Sequence, residues 1–509
     1  MRLLGYAYLR DRLNLGSLPV RRVAQVRPVT RLQVMGDELA VPARIAPAED
    51  IFEQVLFALK HEGTDLTQLA AFVEQLDPSL LVQQLRAHPT SGYLRKLGFV
   101  WERVTGKSLQ DLPGDLGGVA VPLFDPELYL TRPGYRDAKW RVDFNGLGDF
   151  EHCPSVRLTP KVQACLTDNP VGAAMAYLQG FEPHTLERVL GWAYLSETRG
   201  SFALEGEEPG SGKAEAFAAL LRQAHTAHDL TEEYLSSLQN IVLPHPLTRE
   251  LNFRVRQNYL SNGALGSAGV TYVPPPPMQL AGLLTSIGAL ANGKLASGLD
   301  PLVRATLASF GFVFAHPFLD GNGRLSRFLA HYALCQSGAV PNGYILPLSV
   351  AMKRHESEYL LALMDFSRPA RQLWDVRWIA GDDFEFTFKG HPGIYRYWDA
   401  TAAVEFMGRM AEETLKHDIQ GEAVYLDAFD TARKTVEEQY DVQDGTLTKL
   451  IRMAWTNNGI VSLHRRKQFA NAVIPEVFDL IEKSLAPFMF AKAGGESGSP
   501  PSAGRGEVL

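Results

Sequence analysis

Cysteine is scarce: Cys153, Cys165 and Cys335 are the only three in 509 residues. They are far apart and odd in number, which excludes a paired-cysteine metal knuckle and a disulfide scaffold and points to a reducing compartment. Long apolar runs are missing as well. Residues 3–9 are apolar but short and are followed by Arg10 and Arg12, unlike a secretory leader. Residues 307–315 are too few to span a bilayer. The expectation is a cytoplasmic protein with no membrane contact. Nor is there an excess of basic charge. With 57 acidic residues against 50 Lys and Arg, the net charge is −7, which excludes coating nucleic acid by overall charge and leaves only local basic patches open. No internal repeat occurs. What remains is an ordinary globular composition, 46% apolar and 21% charged, with length for about three domains.

Residues 1–165 read as a mixed α/β domain. Its first 46 residues hold eight arginines against three acidic residues, a solvated basic edge or a nucleic-acid contact. β-rich pieces at 23–34 and 38–45 give way to helical spacing in Ile51, Val55, Leu56 and Leu59 and in Leu66, Leu69, Phe72 and Leu76. An irregular stretch rich in Pro, Gly and aromatics fills 111–160. Residues 166–378 are mainly helical, except for GALGSAGVTYVPPPP at 263–277. Its glycines permit turns and its four prolines forbid helix, so a surface loop or hairpin is expected there. Residues 379–485 return to helical spacing. There 447–457, a turn at Asn458-Gly459 and 465–469 form a helix-turn-helix pattern carrying His464, Arg465, Arg466 and Lys467. That pattern suits either a helical packing domain or a winged-helix DNA binder. Residues 486–509 read as a disordered tail, Gly/Ser/Pro-rich from 494 onward and unable to bury a core.

One segment concentrates chemistry: HPFLDGNGRLSR at 316–327, between two apolar helical runs. Gly321, Asn322 and Gly323 at a helix start offer backbone N–H groups and the positive end of the helix dipole, an anion site. Arg324 and Arg327 fall on one helical face beside it, and arginine presents forked donors to phosphate oxygens. Asp320 at the loop mouth is a single carboxylate of the kind that suits Mg²⁺, which takes few protein ligands beside a polyphosphate. His316 can accept a proton near neutral pH. Phe318 is expected to anchor the loop to the core. A second glycine-rich stretch, GEEPGSGK at 206–213, fails as a P-loop: five residues separate Gly206 from Gly212, and Ala214 follows Lys213.

The segment 316–327 meets every fixed position of H-x-F-x-D/E-G-N-G-R-x-x-R, and so resembles the signature of the Fic family of protein adenylyltransferases. The resemblance implies a helical Fic core that binds Mg²⁺ and ATP and transfers AMP to a Ser, Thr or Tyr hydroxyl of a protein target, itself included. It implies His316 as general base, Asp320 as Mg²⁺ ligand, Gly321, Asn322, Gly323 and Arg324 at the phosphates, and Arg327 at the γ-phosphate. Residues 263–277 resemble the family's β-hairpin flap, which pins the target chain. SFALEG at 201–206 resembles its inhibitory motif S/T-x-x-x-E-G/N. That match places Ser201 and Glu205 on one face of a helix near 196–206, with Glu205 pairing with Arg327. Tyr359 stands alone where family members often have paired tyrosines near the nucleotide. The implied fold is mainly α: a helical Fic core with a hairpin flap, between a mixed α/β N-terminal domain and a helical C-terminal domain. Rival readings are AMP removal with Glu205 aligning a water, transfer of another nucleotide-derived group, and a DNA-binding regulator, through its terminal domains, with a nucleotide-sensing core. A homodimer is a further expectation.

Overall fold

The computed structural model describes residues 2–495 except 115, 244–250 and 382. Helix accounts for 56% and strand for 9%, so the fold is mainly α with small sheets. In the N-terminal part, Val23–Arg27 pairs parallel with Glu38–Pro42, which pairs antiparallel with Gln33–Met35. Four helices follow between Ile51 and Thr105. Asp50, Asp65, Asp77 and Ser91 cap them, each side chain accepting from first-turn N–H groups. The basic start is partly neutralised, because Arg21 pairs with Asp365 and Asp399 and Arg27 pairs with Glu38.

The centre of the molecule is the helix Pro301–Ala315. Asp300 caps it through Leu302 N and Val303 N, and Pro301 opens it at a position where its missing N–H costs nothing. Almost all its residues are buried, as expected of a helix apolar on every face. It ends where His316 turns left-handed, at φ 48°. The helix Asn322–Gln336 packs along it, so the connecting loop 316–321 is held at both ends by core helices.

The loop expected at 263–277 is the second half of a hairpin. Leu260–Ser261 pairs antiparallel with Val270–Tyr272, and the prolines continue as an extended run. A second hairpin, Trp374–Ala380 with Asp383–Phe388, supports it. Tyr259 packs on Phe384 and Phe386, while Val270 and Val273 cluster with Trp374 and Val376. Residue 379 therefore lies inside a strand rather than at the start of a helical region. The helix Thr401–Glu413 buries Val404, Phe406, Met407 and Met410 in the same apolar cluster as the two central helices. A separate small core begins only at Ala428.

The helix-turn-helix pattern appears as Asp444–Thr456 and Leu463–Phe469, with Asn458 and Gly459 at φ 53° and 81° between them. Among the described residues no strand follows it, so no wing is formed. Arg466 is bound to Asp479 and Glu482. Residues 486–495 are not part of the expected tail: Pro475–Gly495 is helical, and Phe488 and Met489 pack on the small core. Apolar residues at 485, 488 and 489 thus extend the helix to the first glycines, and 496–509 lie outside the described residues. Among the described residues no helix is long and apolar enough to cross a membrane.

Candidate active site

The loop is built by its own side chains. Phe318 is fully buried and packs edge-on against Phe253, at a centroid distance of 5.7 Å. Asn322 reaches back across the turn: its Nδ2 donates to Phe318 O at 2.9 Å, and its Oδ1 accepts from Phe318 N at 3.0 Å. Its side chain therefore staples the loop rather than facing a ligand, and its contribution to an anion site is its backbone N–H. Gly321, at φ 76°, precedes the helix and supplies no capping side chain. The first-turn N–H groups of Asn322, Gly323 and Arg324 consequently lack intrahelical partners and point at the loop mouth.

His316 is buried, and its Nδ1 lies 3.2 Å from Val313 O. A carbonyl only accepts, so Nδ1 carries the proton and Nε2 keeps its lone pair. Burial, with a smaller push from the Arg254 guanidinium, lowers the imidazole pKa to about 4. It is therefore neutral and able to take a proton throughout the physiological range. The Asp320 side chain is 73% exposed at the mouth, accepts from Gly321 N and lies 3.7 Å from Arg324 Nη2. Among the described residues no group of three or more His, Cys, Asp or Glu could hold a metal. An exposed single carboxylate beside an anion site fits Mg²⁺ shared with phosphates, and no all-protein cage is required.

The two arginines are almost fully buried, yet both are engaged by one turn of another element. The helix Pro183–Ala203 is much longer than the expected 196–206. It ends before Glu205, which sits on the following turn closed by Gly206 at φ 71°. Arg327 Nε donates to Ser201 Oγ at 2.8 Å, and its Nη2 donates to Ser201 O and to Glu205 Oε1, each at 2.7 Å. Burial alone would raise the Glu205 pKa. The Arg327 guanidinium, helped by that of Arg324, outweighs it and holds the carboxyl below its ordinary range. Arg324 Nη1 lies 3.0 Å from Glu207 Oε2. Tyr359 is buried, stacked on Phe406 and edge-on to Phe310. Burial raises its pKa, and the nearby Arg327 guanidinium opposes that rise.

Four residues outside the motifs shape the site. Arg254 Nε donates to His316 O at 2.9 Å and Nη2 donates to Pro275 O at 2.6 Å, tying the flap base to the loop. Its backbone N donates to Pro317 O at 2.8 Å. Gln239 Nε2 donates to Asp320 O. Glu197, on the same helix as Ser201, accepts from Ser349 N at 2.7 Å and lies 2.8 Å from His331 Nε2, one turn beyond Arg327. Glu207 is the fourth. A carboxylate two residues past Glu205 was visible in the sequence as an acidic pair flanking a glycine, but nothing local linked it to Arg324.

Comparison with known proteins centres on this segment. The Fic/DOC family model matches residues 229–334. A stretch of 88 residues is 39% identical to protein adenylyltransferase Fic of Drosophila willistoni, covering 17% of this chain and 16% of that relative. Another of 70 residues is 41% identical to protein adenylyltransferase Fic of Drosophila yakuba, covering 14% of each. The matched region thus spans about a sixth of these curated relatives' own length. A crystal structure of a Fic family protein from Desulfovibrio desulfuricans G20 aligns over 62% of this chain and 92% of that one, with 16% identity and a TM-score of 0.40. The family match thus falls on the loop, on the helix that precedes it and on most of the helix that follows it.

Proposed function

We propose that the protein transfers AMP from Mg²⁺-bound ATP to a Ser, Thr or Tyr hydroxyl of a protein, itself included, and that Glu205 restrains it. The observation that carries this reading is the convergence on one helix N-terminus of a neutral histidine, an exposed carboxylate and two buried arginines. The name protein adenylyltransferase, borne by the relatives matched over this region, supports the same chemistry.

His316 Nε2 takes the proton from the target hydroxyl as that oxygen bonds to the α-phosphorus. The bond from the α-phosphorus to the bridging oxygen breaks, and pyrophosphate leaves. The N–H groups of the first helical turn and the Arg324 and Arg327 guanidinium groups hold the phosphate oxygens. Asp320 would hold Mg²⁺, which when bound neutralises polyphosphate charge. The hairpin formed by Leu260–Ser261 and Val270–Tyr272 offers an edge for an extended target segment through main-chain hydrogen bonds, which tolerates varied sequence. With Glu205 on Arg327, that guanidinium cannot serve the γ-phosphate, so ATP is held out of line for attack.

Mass spectrometry of lysate proteins incubated with the protein and Mg²⁺-ATP tests the reaction. An adenylyl group on hydroxyl side chains, dependent on His316, is expected. A bare phosphoryl group, loss of AMP from targets already carrying it, or no modification at all contradicts the assignment.

A further inference from the structure

We propose that Glu207 is a second restraint on the phosphate loop, holding Arg324 as Glu205 holds Arg327, so that release requires both carboxylates to leave. The proposal rests on the adenylyl-transfer reading only in taking the loop as a polyphosphate site.

Glu205 and Glu207 flank Gly206, whose positive φ turns the chain back on itself, so that the N–H groups of both glutamates donate to Phe202 O, at 3.0 and 3.1 Å. The turn thereby aims two carboxylates at two arginines three residues apart on one helix. Arg324 meets Glu207 as a fork, Nη1 to Oε2 at 3.0 Å and Nη2 to Oε1 at 3.4 Å. Its guanidinium also lies over the Phe202 ring, 5.0 Å from the centroid, and Phe202 belongs to the helix that bears Ser201. The Arg324 side chain is 1% exposed, while that of Glu207 is 41% exposed. The guanidinium is therefore fixed and the carboxylate can swing into water without disturbing the core. Two adjacent anionic groups on one turn occupy both arginines at once, as two adjacent phosphates would. Freeing Arg327 alone leaves Arg324 engaged.

The probe is inorganic pyrophosphate, which reads release of the arginines whatever group the enzyme transfers. Its affinity is measured by calorimetry for the parent, Glu205→Gln, Glu207→Gln and the double variant, and again with Arg324→Ala. A half-exposed pair is worth up to ~1 kcal/mol. At 1.4 kcal/mol per decade, Glu207→Gln is expected to tighten binding about fivefold. The double variant should exceed Glu205→Gln by at least the same factor, and the effect should vanish in the Arg324→Ala background, which a merely structural role for Glu207 would not produce. Affinity within twofold of parent in both glutamate backgrounds, no pyrophosphate binding by any variant, or an equal gain without Arg324 overturns the proposal. Tightened pyrophosphate binding with no transfer of label from α-³²P-ATP leaves the second restraint standing and removes the transferase reading.

Discussion

Gly323 and Glu205 meet in close approach: a Cβ on Gly323 would lie 2.1 Å from Glu205 Oε1 and 3.2 Å from Arg327 Nη1, so a larger residue stands there only with the Glu205 side chain displaced. Helical φ and ψ do not demand glycine there, since residue 323 lies inside the helix Asn322–Gln336. The demand is close approach, by the Glu205 carboxylate in this structure and, in the function proposed, by phosphate oxygens. Gly323→Ala is therefore expected to displace Glu205 from Arg327 and also to crowd the nucleotide. Self-labelling by α-³²P-ATP should stay below that of Glu205→Gln, and adding Gly323→Ala to Glu205→Gln should lower labelling further. Full activity in that double variant would show that phosphate does not pass this point.

The acid side of the pH profile follows from His316. Burial is the main cause of its lowered pKa, about 4. A base works only when unprotonated, so activity is present above that value and lost as pH falls through it. The acid limb of kcat/KM, which reports the free enzyme, is expected well below the ordinary histidine value near 6.5. A limb at 6.5 or above would mean that the imidazole is not held in this environment. His316→Ala should lower the rate by ~10² to 10⁴-fold with nucleotide affinity largely kept.

Asp320 is tested through the metal. Asp320→Ala is expected to abolish the dependence of ATP affinity on Mg²⁺, measured by calorimetry with and without the ion. An equal response to Mg²⁺ in variant and parent would reduce Asp320 to a turn residue.

Arg254 joins flap to loop through backbone carbonyls of His316 and Pro275. Arg254→Met leaves these buried acceptors without their donor, at ~1–3 kcal/mol for each. Urea denaturation should show a loss of about 2–6 kcal/mol, and labelling should fall because the histidine and the proposed target-binding edge lose their common tie. Unchanged stability would contradict the stapling role.

The candidate loop at 316–327 is legible because its chemistry is contiguous. His316, Asp320, the glycines and both arginines lie within one turn and one helix start, and local geometry alone aligns them. The contact of Glu205 with Arg327 crosses 122 positions and was reached only through the SFALEG pattern. Arg254, Gln239 and Glu207 act across 62, 81 and 117 positions with no such pattern, so nothing in their surroundings announced them. The sequence groups Asn322 with the candidate anion-site residues around it, whereas its amide fits the backbone of Phe318. The hairpin Trp374–Phe388 does alternate apolar and polar residues in its second strand, Asp383–Phe388. Helical spacing on both sides masked that short period-2 signal, and the boundary placed at 379 fell within it.

In the function proposed, the loop transfers AMP and Glu205 holds the transfer back. Glu205→Gln keeps size and helix propensity and removes only the charge. A charge-assisted hydrogen bond is worth ~1.5–3 kcal/mol. The Glu205 side chain is 35% exposed, so the lower end applies, about tenfold in rate. The decisive measurement is self-labelling of parent, Glu205→Gln and Glu205→Gln/His316→Ala with ATP carrying ³²P at the α or the γ position. Label from α only is expected, about tenfold faster in Glu205→Gln than in parent and lost with His316→Ala. Label from the γ position, or Glu205→Gln no faster than parent, would contradict the proposed function.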